Sequence, residues 1–284
     1  MKLKITTLLL GILLMLISTN TNATDLKKGS VRYRASFNSN WEFFKGMPDS
    51  LSVWEKIKVP HTWNNVDMQT KRNDFYEGVA YYKKTFTPDN ALKGKRVFLR
   101  FEGVAAIAEV MVNKKLAGNH AGGYSAFAFE ITDLLVFGKP NELRVKVDNK
   151  SNPEVIPVNH RLFGVYGGIY RPVELIATEK INIAVTDYAS SGVYLTQSNV
   201  TAKSADLTVK VRIDNRAMQP EKISIRTSIY EKDGAVKWSM TSPVALQSQG
   251  REVVSQTMKI KKPHLWQGLD DPYLYKTVVQ LLKN

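Results

Sequence analysis

The segment DLTVKVRI (residues 206–213) places Leu207, Val209, Val211 and Ile213 on one side of an extended chain and Thr208, Lys210 and Arg212 on the other. A period of two describes a strand with one buried face. Short runs rich in Val, Ile, Tyr and Phe recur as VAYYKKTF, RVFLRFEGV, AEVMVN, ELRVKVDN and KISIRTSIYE. Local turn chemistry separates them: EKDGAV contains Asp233-Gly234, a favoured tight hairpin pair, while PDNALKGK and FGKPNE combine Pro, Gly and Asn. No long amphipathic helical pattern follows the first two dozen residues, and ITDLLVF can provide one turn of helix. The chain is expected to be all-β.

The first residues read differently. Lys2 and Lys4 precede an apolar stretch from Ile5 to Ile17, and Thr21 and Ala23 occupy the small-residue positions of a cleavage site. This is the pattern of a secretory signal over residues 1–23, too short for a span of roughly 20 apolar residues. The mature chain is expected from Thr24, secreted or periplasmic, with no membrane association after signal removal. Its lack of cysteine excludes a disulfide framework and lipid attachment through an N-terminal cysteine, so a packed core must supply its stability.

Removing the leader takes away two lysines and lowers the formal charge from +14 to +12. The basic residues are scattered in the short clusters KKGSVRYR, KGKR and KIKK, and no aromatic-basic stripe forms. A nucleic-acid partner is therefore not expected. No nucleophile elbow, phosphate loop or HExxH pattern is present, and four separated histidines without cysteine give no metal site. No cofactor is expected.

A boundary falls near Thr178–Ile181, where RPVELIAT gives way to EKINIAVTDYASSGVYL. Residues 24–179 suit a jelly-roll sandwich with long loops, and residues 180–284 suit a smaller immunoglobulin-like sandwich. Within LFGVYGGIYRPVEL, Gly167-Gly168 interrupts an otherwise apolar run, which implies a bulge, a bend or a close backbone approach.

Ordered motifs then suggest a family. NWEFFKG, WEKIKVPHTWN, YEGVAYYKKTF, FEGVAAIAEVMVNKKLAGNHAGGYSAFAFEITDLL and YGGIYRPVELIAT, followed by KPHLWQGLDDPYLYKTVVQL, resemble the N-terminal region of glycoside hydrolase family 2. This is the β-galactosidase, β-glucuronidase and β-mannosidase group, and the resemblance is greatest to its exported β-galactosidase-like members. It implies a galactose-binding-like jelly roll followed by an immunoglobulin-like domain, and a carbohydrate partner.

Each motif also has a plain physical reading. In PHTWN, Pro60 fits a turn, Trp63 covers a core and His61 fastens a loop. In NHAGGYSAF, Gly122-Gly123 lets the chain turn tightly while Tyr124 packs. Glu77, in YEGVAYY, can accept hydrogen bonds from sugar hydroxyls at a pocket rim. In the family, the loop before the IYRPVEL-type strand approaches the catalytic domain, and some members hold a sugar hydroxyl there with an acidic residue. Here Asn159, His160 and Arg161 stand around that position. A carboxylate accepts from neutral hydroxyls, whereas the planar fork of Arg161 donates to carboxylate or sulfate, which points to an acidic or sulfated glycan.

The family cleaves glycosidic bonds with two carboxyl groups, about 5–5.5 Å apart in the retaining route. Both belong to a (β/α)8 barrel of about 250 residues that follows the immunoglobulin-like domain. These 284 residues show no alternating strand-helix series that could form one. Two classes of function remain. One is the non-catalytic portion of a glycosidase, inactive alone, whose barrel lies downstream or on a separate polypeptide. The other is a free-standing secreted carbohydrate-binding or structural module.

Overall fold

A computed structural model describes residues 32–67, 75–158 and 164–283; the expected leader lies outside them. The first ten strands in chain order are β1 (Arg32–Ser36), β2 (Trp41–Lys45), β3 (Glu55–Ile57), β4 (Val79–Phe86), β5 (Arg96–Phe101), β6 (Ile107–Val112), β7 (Lys115–Ala121), β8 (Phe127–Glu130), β9 (Asn141–Asp148) and β10 (Val173–Thr178). They form a four-stranded sheet, β1-β10-β5-β8, facing a six-stranded sheet, β3-β2-β4-β9-β6-β7. This is the jelly-roll sandwich. Its core gathers Trp41, Tyr82, Leu99, Phe101, Val110 and Val145, all fully buried.

Alternation accounts for β4, where Ala80, Tyr82 and Lys84 are the buried residues. It does not account for β5, whose sequence RVFLRF is buried at five of its six positions. The reason is a second covering layer. Val97 and Leu99 face the sandwich core, while Phe98 packs on the opposite face with Ile176, Val185 and Ala189. Apolar side chains on both faces are the pattern of a strand buried on both sides.

Seven further strands follow: β11 (Ile181–Ile183), β12 (Val193–Ser198), β13 (Ser204–Asn215), β14 (Glu221–Tyr230), β15 (Val236–Leu246), β16 (Arg251–Lys261) and β17 (Lys276–Lys283). Strand β13 pairs with β11 and β12 along one edge and with β16 along the other. The facing sheet runs β15-β14-β17. The result is the immunoglobulin-like sandwich. Leu207, Val209, Val211 and Ile213 are buried in its core, as their spacing predicts. Gln256 crosses that core: its carboxamide accepts from Thr227 Oγ1 at 2.6 Å and donates to Ile225 O at 3.1 Å and Ser242 Oγ at 3.0 Å. A buried amide with every group engaged fixes how the two sheets face each other.

Asp233-Gly234 lies in the β14–β15 connection, with Gly234 at φ +89° and the Glu231 amide donating to Ala235 O. ITDLLVF yields a single 3₁₀ turn, Thr132–Leu134, and the described residues contain no α-helix. That turn matters because it carries part of an ionic cluster between the sandwiches. Arg96 of β5 donates to both carboxylate oxygens of Glu130, at 3.2 and 2.8 Å, and approaches Asp214 of β13 at 3.5 Å. Arg216 closes the set from the other side, donating to Glu130 at 2.7 Å and Asp133 at 3.1 Å.

Candidate functional site

One end of the jelly roll gathers loops that two buried asparagines hold together. Asn64 Oδ1 accepts from the Gly167 amide at 2.8 Å, and its Nδ2 donates to Asp67 Oδ2 at 2.6 Å and Tyr76 O at 3.0 Å. Asn149 Oδ1 accepts from the Gly78 amide at 2.8 Å, while its Nδ2 donates to Val165 O at 2.8 Å and Tyr76 O at 3.2 Å. Both side chains are fully buried. Together they tie the stretches around 64–67, 76–78 and 165–167 into one rigid set, because a buried backbone amide or carbonyl must find a partner.

His61 and Trp63 complete that set from below. His61 Nδ1 and the Tyr82 hydroxyl share a hydrogen bond of 2.9 Å, and the His61 amide donates to Ile169 O at 2.8 Å. Burial lowers the His61 imidazole below its ordinary range, with the charge of Glu55 opposing the shift, and burial raises the Tyr82 hydroxyl well above the phenol range. The pair is therefore neutral at physiological pH, a fastening and not an acid–base device. Trp63 is buried and stacks on Phe43, with ring centroids 6.1 Å apart.

Above this floor lies an open hollow of about 570 Å³ lined by Thr62, Ala105, Tyr124, Pro157, Tyr166 and Tyr170. Its walls are aromatic. Tyr170 is anchored by its hydroxyl, which donates to Gly123 O, and Tyr166 meets Phe75 edge-on at 5.6 Å. Tyr124, expected to pack, is instead 60% exposed. Gly122 does make the tight turn, at φ +137°, but that turn swings the following tyrosine to the mouth of the hollow.

Val158 and Gly164 also line the hollow, and Asn159, His160 and Arg161 fall between them in sequence. Those three lie outside the described residues. Glu77 is exposed on the loop held by Asn149, and it is not part of the lining. The geometry thus adds Asn64, Asn149 and Tyr166 to the residues singled out from sequence, and moves Tyr124 from a packed turn to the mouth of the hollow. Asn149 carried a signal: Asn141, Leu143, Val145, Val147 and Asn149 share one phase of NELRVKVDN, and all five are fully buried. A polar residue in a buried phase marks a hydrogen-bonding duty.

Asn149→Ala leaves the Gly78 amide and the Val165 carbonyl without their partner. We expect a loss of about 2 kcal/mol, as for a buried group left unsatisfied. Urea titration followed by tryptophan fluorescence measures it, and an unchanged midpoint would show that the loops are held by something else. Among the described residues, no group of three or more His, Asp or Glu side chains could hold a metal ion.

Comparison with known proteins gives this arrangement its context. The family model for glycosyl hydrolases family 2, sugar binding domain, matches residues 34–179, and that for glycosyl hydrolases family 2 matches residues 191–284. A β-glucuronidase of Bacteroides fragilis is 37% identical over 248 residues, covering 87% of this chain and 35% of that protein. The β-galactosidase BoGH2A of Bacteroides ovatus is 31% identical over 272 residues, covering 90% of this chain and 30% of that protein. A crystal structure from Bacteroides fragilis superposes with a TM-score of 0.86 at 52% identity, covering 89% of this chain and 39% of that one. The β-glucuronidase structure of Bacteroides uniformis gives 0.81 at 30% identity, covering 88% and 30%. The chain therefore spans about a third of the length of the curated relatives it matches. On these matches and this fold, the chain belongs to glycosyl hydrolases family 2.

Proposed function

We propose that the chain is the non-catalytic portion of a β-galactosidase-like glycosidase, exported and acting in carbohydrate metabolism, whose sandwiches shape one side of the sugar pocket of a catalytic barrel. The observation that carries this reading is the match to the family's sugar-binding domain over residues 34–179, together with coverage of only about a third of each relative. The hollow between Tyr124, Tyr166 and Tyr170 supports it. Its tyrosines give apolar faces with polar tips, suited to a sugar ring, and its loops are pre-formed by the asparagine pair. On this reading Glu77, Asn159 and His160 are the candidate hydrogen-bonding groups and Arg161 the candidate cation. The β-glucuronidases among the relatives favour a sugar bearing a carboxylate, to which Arg161 donates in a planar fork. The partner that completes the chemistry is a family 2 barrel, downstream or in trans.

The reading is tested by incubating the purified chain with chromogenic β-galactoside, β-glucuronide and β-mannoside. No turnover above the buffer blank is expected, since the retaining reaction needs two carboxyl groups that the barrel contributes. Substantial turnover would overturn it. Calorimetric binding of an acidic glycan by wild type and Arg161→Ala then addresses the cation: affinity is expected to fall about tenfold in the variant, and equal affinities would remove Arg161 from the site.

A further inference from the structure

A second hollow, of about 510 Å³, opens between the two sandwiches. The turn that carries Tyr124 into the tyrosine hollow carries Ser125 into this one, where its hydroxyl meets the His120 imidazole at 3.2 Å. The immunoglobulin-like side supplies Asp187, Tyr188, Arg212, Asp214 and Arg251. The volume falls within the roughly 300–1,000 Å³ of small-molecule clefts. Two buried carboxylates fix its geometry. The Asp187 side chain is 7% exposed and pairs with Arg212 Nε at 3.2 Å, and the Asp214 side chain is 6% exposed and pairs with Arg251 Nε at 3.3 Å. Strand pairing sets Asp214 opposite Arg251 and Arg212 opposite Val253, so both arginines stand on one face of the sheet. Each is held by its Nε and keeps its terminal amino groups, Nη1 and Nη2, as donors.

Tyr188 is 86% exposed at φ +49°, and Ala189 follows at the same φ. A bulky residue rarely takes this left-handed conformation, and two residues in succession persist there only where their surroundings impose it. Here they do. Ala189 is 3% exposed among Phe98, Ala128, Ile176 and Val185, its carbonyl accepts from Arg100 Nε at 3.1 Å, and the Ser190 amide donates to Asp187 O at 2.9 Å. The fold thus holds an aromatic ring out in water, on a strained and well-packed loop, beside oriented donors and acceptors. Strain of this kind clusters where a side chain is positioned for a ligand.

The lining holds no excess of positive charge. Asp187 and Asp214 match Arg212 and Arg251, Glu252 adds a further carboxylate, and burial lowers the His120 imidazole below its ordinary range, against the raising effect of its hydrogen bond to Gly122 O. An anionic ligand is therefore not favoured. Donors and acceptors instead stand side by side. The arginine amino groups donate, Ser125 does both, and Asp187, whose Oδ2 is taken by Tyr194 and Arg212, keeps Oδ1 as an acceptor. Vicinal hydroxyls, each a donor and an acceptor, match such a set, and the apolar face of a sugar ring matches a tyrosine. We propose that this hollow is a second binding site, for a neutral saccharide whose ring stacks on Tyr188 and whose hydroxyls bridge Arg212, Arg251 and Asp187. The site uses neither the tyrosine hollow nor Arg161.

Calorimetric titration of the full chain with two neutral trisaccharides, cellotriose and β-1,4-galactotriose, tests it. Saturable binding of at least one is expected, with an affinity that changes less than about twofold between low and high salt, because no net charge is neutralised. Tyr188→Ala and Arg212→Met should each weaken that binding about tenfold. Tyr188 is exposed, so its variant keeps the fold and decides the matter should Arg212→Met disturb Asp187. Failure of both sugars to bind overturns the proposal, as does an affinity unchanged in Tyr188→Ala, which would put the sugar elsewhere. So does a tenfold fall in affinity with salt, which would make the preferred occupant an anion. A chain that ignores both neutral sugars yet hydrolyses nothing and binds an acidic glycan through Arg161 refutes this second site alone and leaves the functional reading intact.

Discussion

Gly168→Ala is expected to cost about 2–5 kcal/mol of folding stability. About 1–2 kcal/mol comes from holding an L-residue at positive φ and about 1–3 kcal/mol from overpacking. Gly168 sits at φ +133°, and a methyl group there would overlap the His61 carbonyl oxygen and lie 2.7 Å from the Tyr82 hydroxyl. Neither neighbour can give way. The carbonyl belongs to the backbone, and the tyrosine is fully buried and shares its hydroxyl with His61. The adjoining Gly167 meets the indole of Trp63 in the same manner. Gly94→Ala provides the control: it also has positive φ, at +84°, but nothing lies within 4 Å, so only the conformational part, about 1–2 kcal/mol, is expected. Urea denaturation of the three proteins separates the two contributions. Equal losses for Gly94→Ala and Gly168→Ala would show that the crowding around His61 does not govern the turn.

This answers what Gly167-Gly168 are for. The sequence announced a close approach but not its partner, since a glycine pair reports only that a side chain is unwelcome. The partner comes from PHTWN, about a hundred residues earlier, and only the fold brings the two together. Local pattern otherwise carried far. The phase of DLTVKVRI, the hairpin at Asp233-Gly234 and the tight turn at Gly122 followed from residues a few positions apart, because backbone sterics and strand pleating act at that range.

Legibility failed where tertiary neighbours decide. Lys84 lies in the buried phase of VAYYKKTF, a place where a lysine contradicts the binary pattern. The structure resolves the conflict by lodging its ammonium against Ser39 O and over the ring of Phe37, 4.5 Å from its centroid, and burial lowers its pKa to about 8. No neighbour in sequence announces that arrangement. Tyr124 failed in the opposite direction. Its motif resembled a packed turn, yet it stands 60% exposed on a hollow whose other walls, Pro157 and Tyr170, lie far from it in sequence. The fold was therefore readable from alternation and the ordered motifs, while the rim residues of the hollow were not.

The ionic cluster between the sandwiches leads to the other large effect. Glu130→Ala is expected to destabilise the protein by about 3 kcal/mol, the lower end for breaking a buried pair, because Arg96 is 5% exposed but Glu130 is 21% exposed. The loss arises on the arginine: its Nη1 has no hydrogen-bond partner even in the intact protein, and without Glu130 it keeps the 3.5 Å contact with Asp214 and its place over the Phe98 ring. Arg96→Met should be milder, since Glu130 keeps Arg216 and Asp214 keeps Arg251 at 3.3 Å. The effect depends on pH with a definite sign. Burial raises the Glu130 carboxyl, but hydrogen bonds from Arg96, Thr132 and Arg216 outweigh it, and the pKa is lowered in the folded state. Its stabilisation is thus complete above the unfolded value of about 4.3 and lost as pH falls through the lower folded value. The gap between wild type and Glu130→Ala should stay constant from neutral pH to about pH 5 and close below about pH 4. Denaturation midpoints measured across that range decide the matter: a gap that persists undiminished at the acid end would mean that Glu130 stabilises the joint through packing and not through its charge.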